Sequence, residues 1–228
     1  MNKKITVLMM ALMMVGLMAG SAAAQSDWEV NSGLAITNVT LDAWNNKIEV
    51  ANQVFSADPN GTEMEEIERV PMFYVEAKRP INEKWDAGLR FENIFGTVEG
   101  EANVAKFGGE QTGEIDVSMN GIVLLADYNL DESWSVGGGV GFYNGTKSKK
   151  FTGLAFADNE ATPTDEEYDL DATSYRLGVN YNNSFATSWA FNGGMDYIVM
   201  DVDDSDPTET EEVESRGFSF NAGLTYSF

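Results

Sequence analysis

Along most of the chain apolar and polar residues alternate, the period of a β-strand that shows a different face to each side. Four segments open on tryptophan and keep that rhythm: Trp28-Glu-Val-Asn-Ser-Gly-Leu-Ala-Ile, Trp85-Asp-Ala-Gly-Leu-Arg-Phe, Trp134-Ser-Val-Gly-Gly-Gly-Val-Gly-Phe and Trp189-Ala-Phe-Asn-Gly-Gly-Met-Asp-Tyr. They recur about every fifty residues, and three of the tryptophans follow a tight polar link: Pro80-Ile-Asn-Glu-Lys, Leu130-Asp-Glu-Ser and Phe185-Ala-Thr-Ser. A unit repeated on that scale is a statement about architecture. The unit is a β-hairpin, and it occurs four times.

The pattern predicts strands over 27–39, 67–80, 84–97, 114–130, 133–146, 166–182, 188–201 and 214–228. Links after the second, fourth and sixth are short, at about 81–84, 130–133 and 182–188. The others are long: 40–66, 98–113, 147–165 and 202–213. Short turns at one end and long loops at the other predict an all-β protein, an eight-stranded antiparallel up-and-down transmembrane β-barrel with its long loops facing outward. A ten-stranded version would use Lys47-Ile-Glu-Val-Ala-Asn-Gln-Val-Phe55 as extra strand, but no second extra segment is found.

The faces of these strands agree with one another. In the last, Phe218, Phe220, Ala222, Leu224, Tyr226 and Phe228 oppose Ser219, Asn221, Gly223, Thr225 and Ser227. The sixth sets Tyr175, Leu177, Val179 and Tyr181 against Ser174, Arg176, Gly178 and Asn180. The fourth is apolar on both faces, at Ile122-Val-Leu-Leu-Ala126. Glycine, alanine, serine and asparagine suit the cramped interior of an eight-stranded barrel, so the apolar faces are expected to point out. Trp28, Trp85, Trp134, Trp189, Tyr128, Tyr181, Tyr226 and Phe228 fall at the turn end, and Phe73, Phe95, Phe142 and Phe218 toward the loops. Two aromatic bands are what a membrane–water boundary selects. A soluble periplasmic barrel of lipocalin type would need the opposite facing.

Composition narrows the setting. Lys3 and Lys4, the apolar run Ile5 to Leu17 and the small residues Ala22-Ala23-Ala24 predict a cleaved secretory signal over 1–24, leaving one barrel domain over 25–228. The apolar run is too short for a spanning helix. The chain has no cysteine, which excludes a lipid-anchored lipoprotein and a disulfide framework. Net charge is −23, and −25 once the two signal lysines are removed, so nucleic acid is not an expected partner.

With these features the chain resembles the small outer-membrane β-barrel proteins, the group that includes the OmpA transmembrane domain, OmpX and OmpW. The resemblance spans the expected mature chain and is strongest in the ending Gly223-Leu-Thr-Tyr-Ser-Phe228. It implies an outer-membrane location, contact with outer-membrane lipid, recognition of Phe228 by the barrel assembly machinery, and a monomer.

The chemistry-bearing residues form two groups. Glu76, Lys78, Arg90, Glu92, Asp127, Arg176 and Asp196 share the lumen face and must pair there, because enclosed charges are costly alone. Such a set forms a plug, or a gate if one pair breaks. Acidic runs mark the long loops, most densely at Asp201, Asp203, Asp204 and Asp206, which are suitable hard ligands for Ca²⁺ or Mg²⁺ but lack the full calcium-loop pattern. A solvated acidic surface is the simpler expectation, with no tightly bound cofactor. Lys147, Lys149 and Lys150 form a small basic cluster. Histidine is absent, and the barrel proteases, lipases and lipid A-modifying enzymes depend on it as families, so no catalytic residues are assigned. The leading expectation is a non-enzymatic structural or surface-interacting envelope protein. The rival is a narrow channel for small solutes, for which Gly137, Gly139, Gly141, Gly178 and Gly194 would leave lumen room.

Overall fold

The computed structural model describes residues 28–38, 42–104, 109–152, 164–207 and 213–228. The expected signal segment lies outside them, as do the acidic residues Asp158, Glu160, Glu209, Glu211 and Glu212. Eight strands close a barrel in chain order: β1 (Glu29–Asn38), β2 (Arg69–Pro80), β3 (Trp85–Val104), β4 (Gly109–Asn129), β5 (Trp134–Thr152), β6 (Thr164–Ala186), β7 (Trp189–Asp204) and β8 (Val213–Ser227). All neighbours are antiparallel, and β1 closes on β8 from Glu29↔Ser227 to Thr37↔Ser219.

Two of the short turns are built by the same device. Asn82 Oδ1 accepts hydrogen bonds from the amides of Lys84 (2.9 Å) and Trp85 (3.1 Å), and Asp131 Oδ1 does the same for Ser133 and Trp134 (both 2.8 Å). A short side-chain acceptor that folds back onto its own chain fixes the turn and hence where the next strand starts. Each following tryptophan then meets a tyrosine across the sheet. Trp85–Tyr128 and Trp134–Tyr181 lie 5.2 and 4.8 Å apart, and Trp189–Tyr226, after the third turn, 5.0 Å.

The rings face out. Leu34, Leu89, Ile122, Leu177, Phe191 and Phe220 are all about half exposed or more, while Val123, Ser174, Ser219 and Thr225 on the alternate positions are buried. This is the facing that lipid requires, and the reverse of a lipocalin-type barrel. Strand β4, ambiguous in sequence, obeys the same parity: Ile122 and Leu124 point out and Val123 points in.

Strand lengths differ from expectation. β1 and β2 have 10 and 12 residues, whereas β3, β4, β5 and β6 have 20, 21, 19 and 23. Roughly 9–11 residues cross a membrane. Residues 98–104, 109–113, 147–152 and 164–165, expected as loop, are therefore strand that continues beyond the bilayer on one side of the barrel. Outward positions there are polar (Glu99, Glu101, Glu114, Asp116) because they meet water, while Ala102 and Ile115 point in and are buried. An acidic outer face hides the strand when loops are sought by charge.

The segment after β1 is a second correction. Residues Asp42–Phe55 form a helix, α1, instead of the extra strand considered for 47–55. Among its described side chains Trp44, Ile48, Ala51 and Phe55 are buried, and their spacing of four, three and four is one stripe of a helix. The stripe packs inside the tall wall against Met64, Ala102 and Ile115. Asn52 holds the returning chain through both backbone groups of Met64 (2.8 and 2.9 Å), and Asn45 Oδ1 accepts from the Ile67 amide (2.9 Å). Thr62 and Glu101 complete a backbone bridge at 2.7 and 2.8 Å.

A candidate functional site: a crossed lumen beneath a capped cavity

Strand parity sends Glu76 and Lys78 of β2, Arg90 and Glu92 of β3, Asp127 of β4, Arg176 of β6 and Asp196 of β7 to the axis. They meet as one chain of contacts. Lys78 Nζ bridges Asp127 (2.5 Å) and Glu76 (3.0 Å), and Arg90 Nε donates to Glu76 Oε2 at 2.5 Å. Arg90 Nη1 lies 3.6 Å from Glu92 and 3.9 Å from Asp196. Arg176 grips Glu92 with both Nη atoms, at 2.6 and 2.8 Å. A bidentate guanidinium–carboxylate pair is the strongest form such a contact takes. The set has three cations and four carboxylates, and six of its members are at most 6% exposed.

Five uncharged side chains complete the network. Tyr143 donates to Glu92 (2.5 Å) and accepts from Arg176 (2.8 Å). The Arg90 guanidinium lies 4.6 Å from the ring centre of Tyr74, whose hydroxyl donates to Asn192 at 3.0 Å. Asn192 in turn donates to Asn31 (2.6 Å) and Thr225 (3.1 Å), so the chain of bonds spans the barrel.

The lumen glycines are not empty room. A Cβ at Gly137 would overlap the Asp127 carboxylate, one at Gly178 the Asp196 carboxylate, and one at Gly141 Ser174 and Tyr143. At Gly194 it would meet Asn180, and at Gly139 Leu125 and the Leu124 carbonyl. Glycine is needed at these positions because a neighbouring group already fills the space.

Two spaces flank the network. On the turn side is a polar vestibule of about 480 Å³, lined among others by Asn31, Glu76, Lys78, Arg90 and Asn221. On the loop side is a mainly apolar cavity of about 390 Å³ whose floor is Glu92, Tyr143 and Arg176, and Trp44 of α1 reaches it from the cap. Trp44 is fastened by a polar latch. Its Nε1 donates to Asp204 (3.2 Å), and Lys147 Nζ lies 5.3 Å from its ring and pairs with the same Asp204. Lys149 pairs with Asp206, and both lysines approach the Tyr168 ring, at 5.6 and 5.3 Å.

The acidic candidates for a divalent ion thus divide. Asp204 and Asp206 bind Lys147 and Lys149, while Asp201 and Asp203 are exposed. Among the described residues no three acidic or other ligating groups converge on a metal-sized space. Lys150 of the basic cluster pairs with Glu114 at 2.7 Å, and that carboxylate raises the Lys150 pKa. At the turn end, Tyr226 also meets Phe228 at 4.8 Å, and the Phe228 amide donates to the Trp28 carbonyl at 3.2 Å.

A closed eight-stranded barrel with its rings outside and its ions inside has the fold of the small outer-membrane β-barrels. No family model matches the chain, and no curated protein matches it in sequence. Among solved structures it is similar to Ail, the attachment invasion locus protein of Yersinia pestis, crystallised with the heparin analogue sucrose octasulfate. That overlap has a TM-score of 0.51 at 13% identity and covers 90% of this chain and 100% of Ail. OprG from Pseudomonas aeruginosa follows with 0.46, 13% identity and coverage of 89% and 96%. The outer membrane protease OmpT from Escherichia coli gives 0.41, 10% identity and coverage of 90% and 98%. At these identities the likeness speaks for the fold alone.

Proposed function

We propose that the protein is a sealed outer-membrane barrel that acts without catalysis, through the tall strand wall and helix cap it raises above the membrane. The observation that carries this is the continuous ion network across the axis, which lies between a turn-side vestibule and a loop-side cavity that share no lining residue. The long β3–β6 wall exceeds what a membrane crossing needs, so its outer part serves contact with surfaces, ions or other macromolecules. The lack of histidine in the sequence supports a non-enzymatic role. Export by the 1–24 signal, assembly through the Phe228 ending and a monomeric state belong to the same proposal. So does seating of the Trp28, Trp85, Trp134, Trp189, Tyr128, Tyr181, Tyr226 and Phe228 rings at the periplasmic boundary of the outer membrane.

Planar-bilayer recording tests it. Wild-type protein is expected to show no steady conductance, and Arg90→Ala, which breaks the central link, to produce an open level. A stable open level in the wild type would overturn the sealed reading in favour of the narrow channel, whose one structural support is the pair of vestibules.

A further inference from the structure

The chain holds four Asn-Gly pairs: Asn60-Gly61, Asn120-Gly121, Asn144-Gly145 and Asn192-Gly193. Such a pair carries chemistry of its own. The amide nitrogen of a residue can attack the side-chain carbonyl carbon of an asparagine before it, and glycine leaves that nitrogen unshielded because it has no side chain. The backbone must swing to bring the two atoms together, so the fold decides which pair reacts.

Three of the pairs are held by the sheet. Asn120-Gly121, Asn144-Gly145 and Asn192-Gly193 lie in β4, β5 and β7, each paired with a strand on both sides. Their backbones swing only when ladder bonds open. Two are held by their side chains as well. Asn120 Oδ1 accepts from Asn93 at 3.0 Å, and the buried Asn192 carboxamide is engaged by Asn31, Thr225 and Tyr74. Asn144 has an exposed side chain, so there the ladder alone protects.

Asn60-Gly61 differs on both counts. It lies in the turn after α1, outside any strand; Asn60 is exposed, and its carboxamide makes no hydrogen bond to a described residue. The bonds that shape the turn are local: the Asn60 amide donates to Asp58 Oδ1 (2.9 Å) and the Gly61 amide to the Asp58 carbonyl (3.0 Å). Glycine at 61 is imposed by packing, since a Cβ there would come 2.5 Å from the Phe55 carbonyl oxygen. Packing of the helix end thus places an unshielded nitrogen beside a free carboxamide.

We propose that Asn60 is a self-modifying site, converted in water to an iso-aspartate that loosens the helix cap. The Gly61 nitrogen bonds to Asn60 Cγ, the Cγ–Nδ2 bond breaks, and Nδ2 leaves as ammonia with the proton of the Gly61 amide. Water then opens the cyclic succinimide. Attack at the main-chain carbonyl leaves the chain running through the former side chain, with an extra backbone carbon and a free carboxylate; attack at the other carbonyl gives ordinary aspartate. The extra carbon falls between Asp58 and the Thr62–Glu101 bridge, where residue 61 has no spare room against Phe55 and Ala102. The tie from the Asn103 amide to Asp58 Oδ2 (2.8 Å) is lost with the turn. The proposal goes beyond the surface role above and does not depend on it.

Ageing the full chain in lipid nanodiscs at mildly alkaline pH provides the test. Peptides are read by mass spectrometry, and iso-aspartate by protein isoaspartate methyltransferase with a labelled methyl donor. Iso-aspartate is expected at 60, with conversion at 120, 144 and 192 at least about tenfold slower because those pairs react only through local opening of the sheet. Conversion at 60 no faster than at the other three would overturn the site. Hydrogen exchange on the same samples reads the cap. The Asn103 amide should lose protection in step with iso-aspartate in the wild type and keep it in Asn60→Gln, whose longer side chain cyclises far more slowly. Fresh Asn60→Asp carries the new charge without the added carbon and should keep the protection too. Unchanged Asn103 protection in aged wild type, or equal loss in aged Asn60→Gln, would overturn the link to the cap. Loss in fresh Asn60→Asp would overturn the role of the extra carbon.

Discussion

Glu92 is the residue on which most of the lumen converges. It takes both Nη atoms of Arg176, the Tyr143 hydroxyl and the approach of Arg90, and it is fully buried. Removing one partner from a buried ion pair strands the others, at a cost of about 3–5 kcal/mol. Glu92→Ala should therefore lower unfolding stability by that order in reversible urea titrations from lipid vesicles, and a loss below ~1 kcal/mol would show that water enters the site. Gly178→Val should be similarly damaging, because its branched side chain would displace the Asp196 carboxylate. The charged members were legible in the sequence because strand parity puts them on one face. Tyr74 and Tyr143 were not, since their sequence neighbours Phe73 and Phe142 point outward and an aromatic in such a strand reads as part of the belt. Their parity with Glu76 and Gly141 was the available signal.

At the scale of elements, α1 and the segment after it depend on side-chain ties to the tall wall. Asp58 is one: its Oδ1 accepts from the Asn60 amide (2.9 Å) and its Oδ2 from the Asn103 amide (2.8 Å). These two backbone donors hold its carboxyl below the ordinary value of 3.8. A pKa lowered by folding gives support that is complete above the unfolded value and vanishes as pH falls through the folded one. Protection of the Asn103 amide in hydrogen exchange, corrected for intrinsic rate, should hold near neutrality and collapse below pH 3.8. Asp58→Asn should lose it at neutral pH, and equal protection in both proteins would refute the tie. The latch makes a related prediction. Trp44→Ala removes the ring beside Lys147 and the donor to Asp204, so proteolysis within 42–55 should accelerate by about tenfold or more while the barrel band stays intact. The helix is hard to read in the sequence because its apolar stripe is short and its flanks are polar.

For the whole molecule, the closed barrel was readable from four tryptophan-led hairpins and the segregation of turn lengths. The height of the wall was not, because its outer face changes from apolar to acidic where lipid gives way to water and the alternation loses contrast. The barrel is thus lopsided, with two short strands and four long ones and a helix set into the taller side. Gel migration of detergent-extracted protein should be compact without boiling and slower after it, as expected when an intact hydrogen-bonded ring resists detergent; identical migration would argue against closure.

The most direct measurement is relaxation of nitroxide labels in lipid vesicles, read with oxygen as the lipid-soluble relaxant and a nickel chelate as the water-soluble one. Labels at Phe191→Cys and Leu224→Cys should respond to oxygen alone, and labels at Ser174→Cys and Ser219→Cys to neither, because outward rings meet hydrocarbon and the inner face is packed shut. Nickel access at 191 and 224 would contradict the membrane facing, and nickel access at 174 and 219 would contradict the sealed axis.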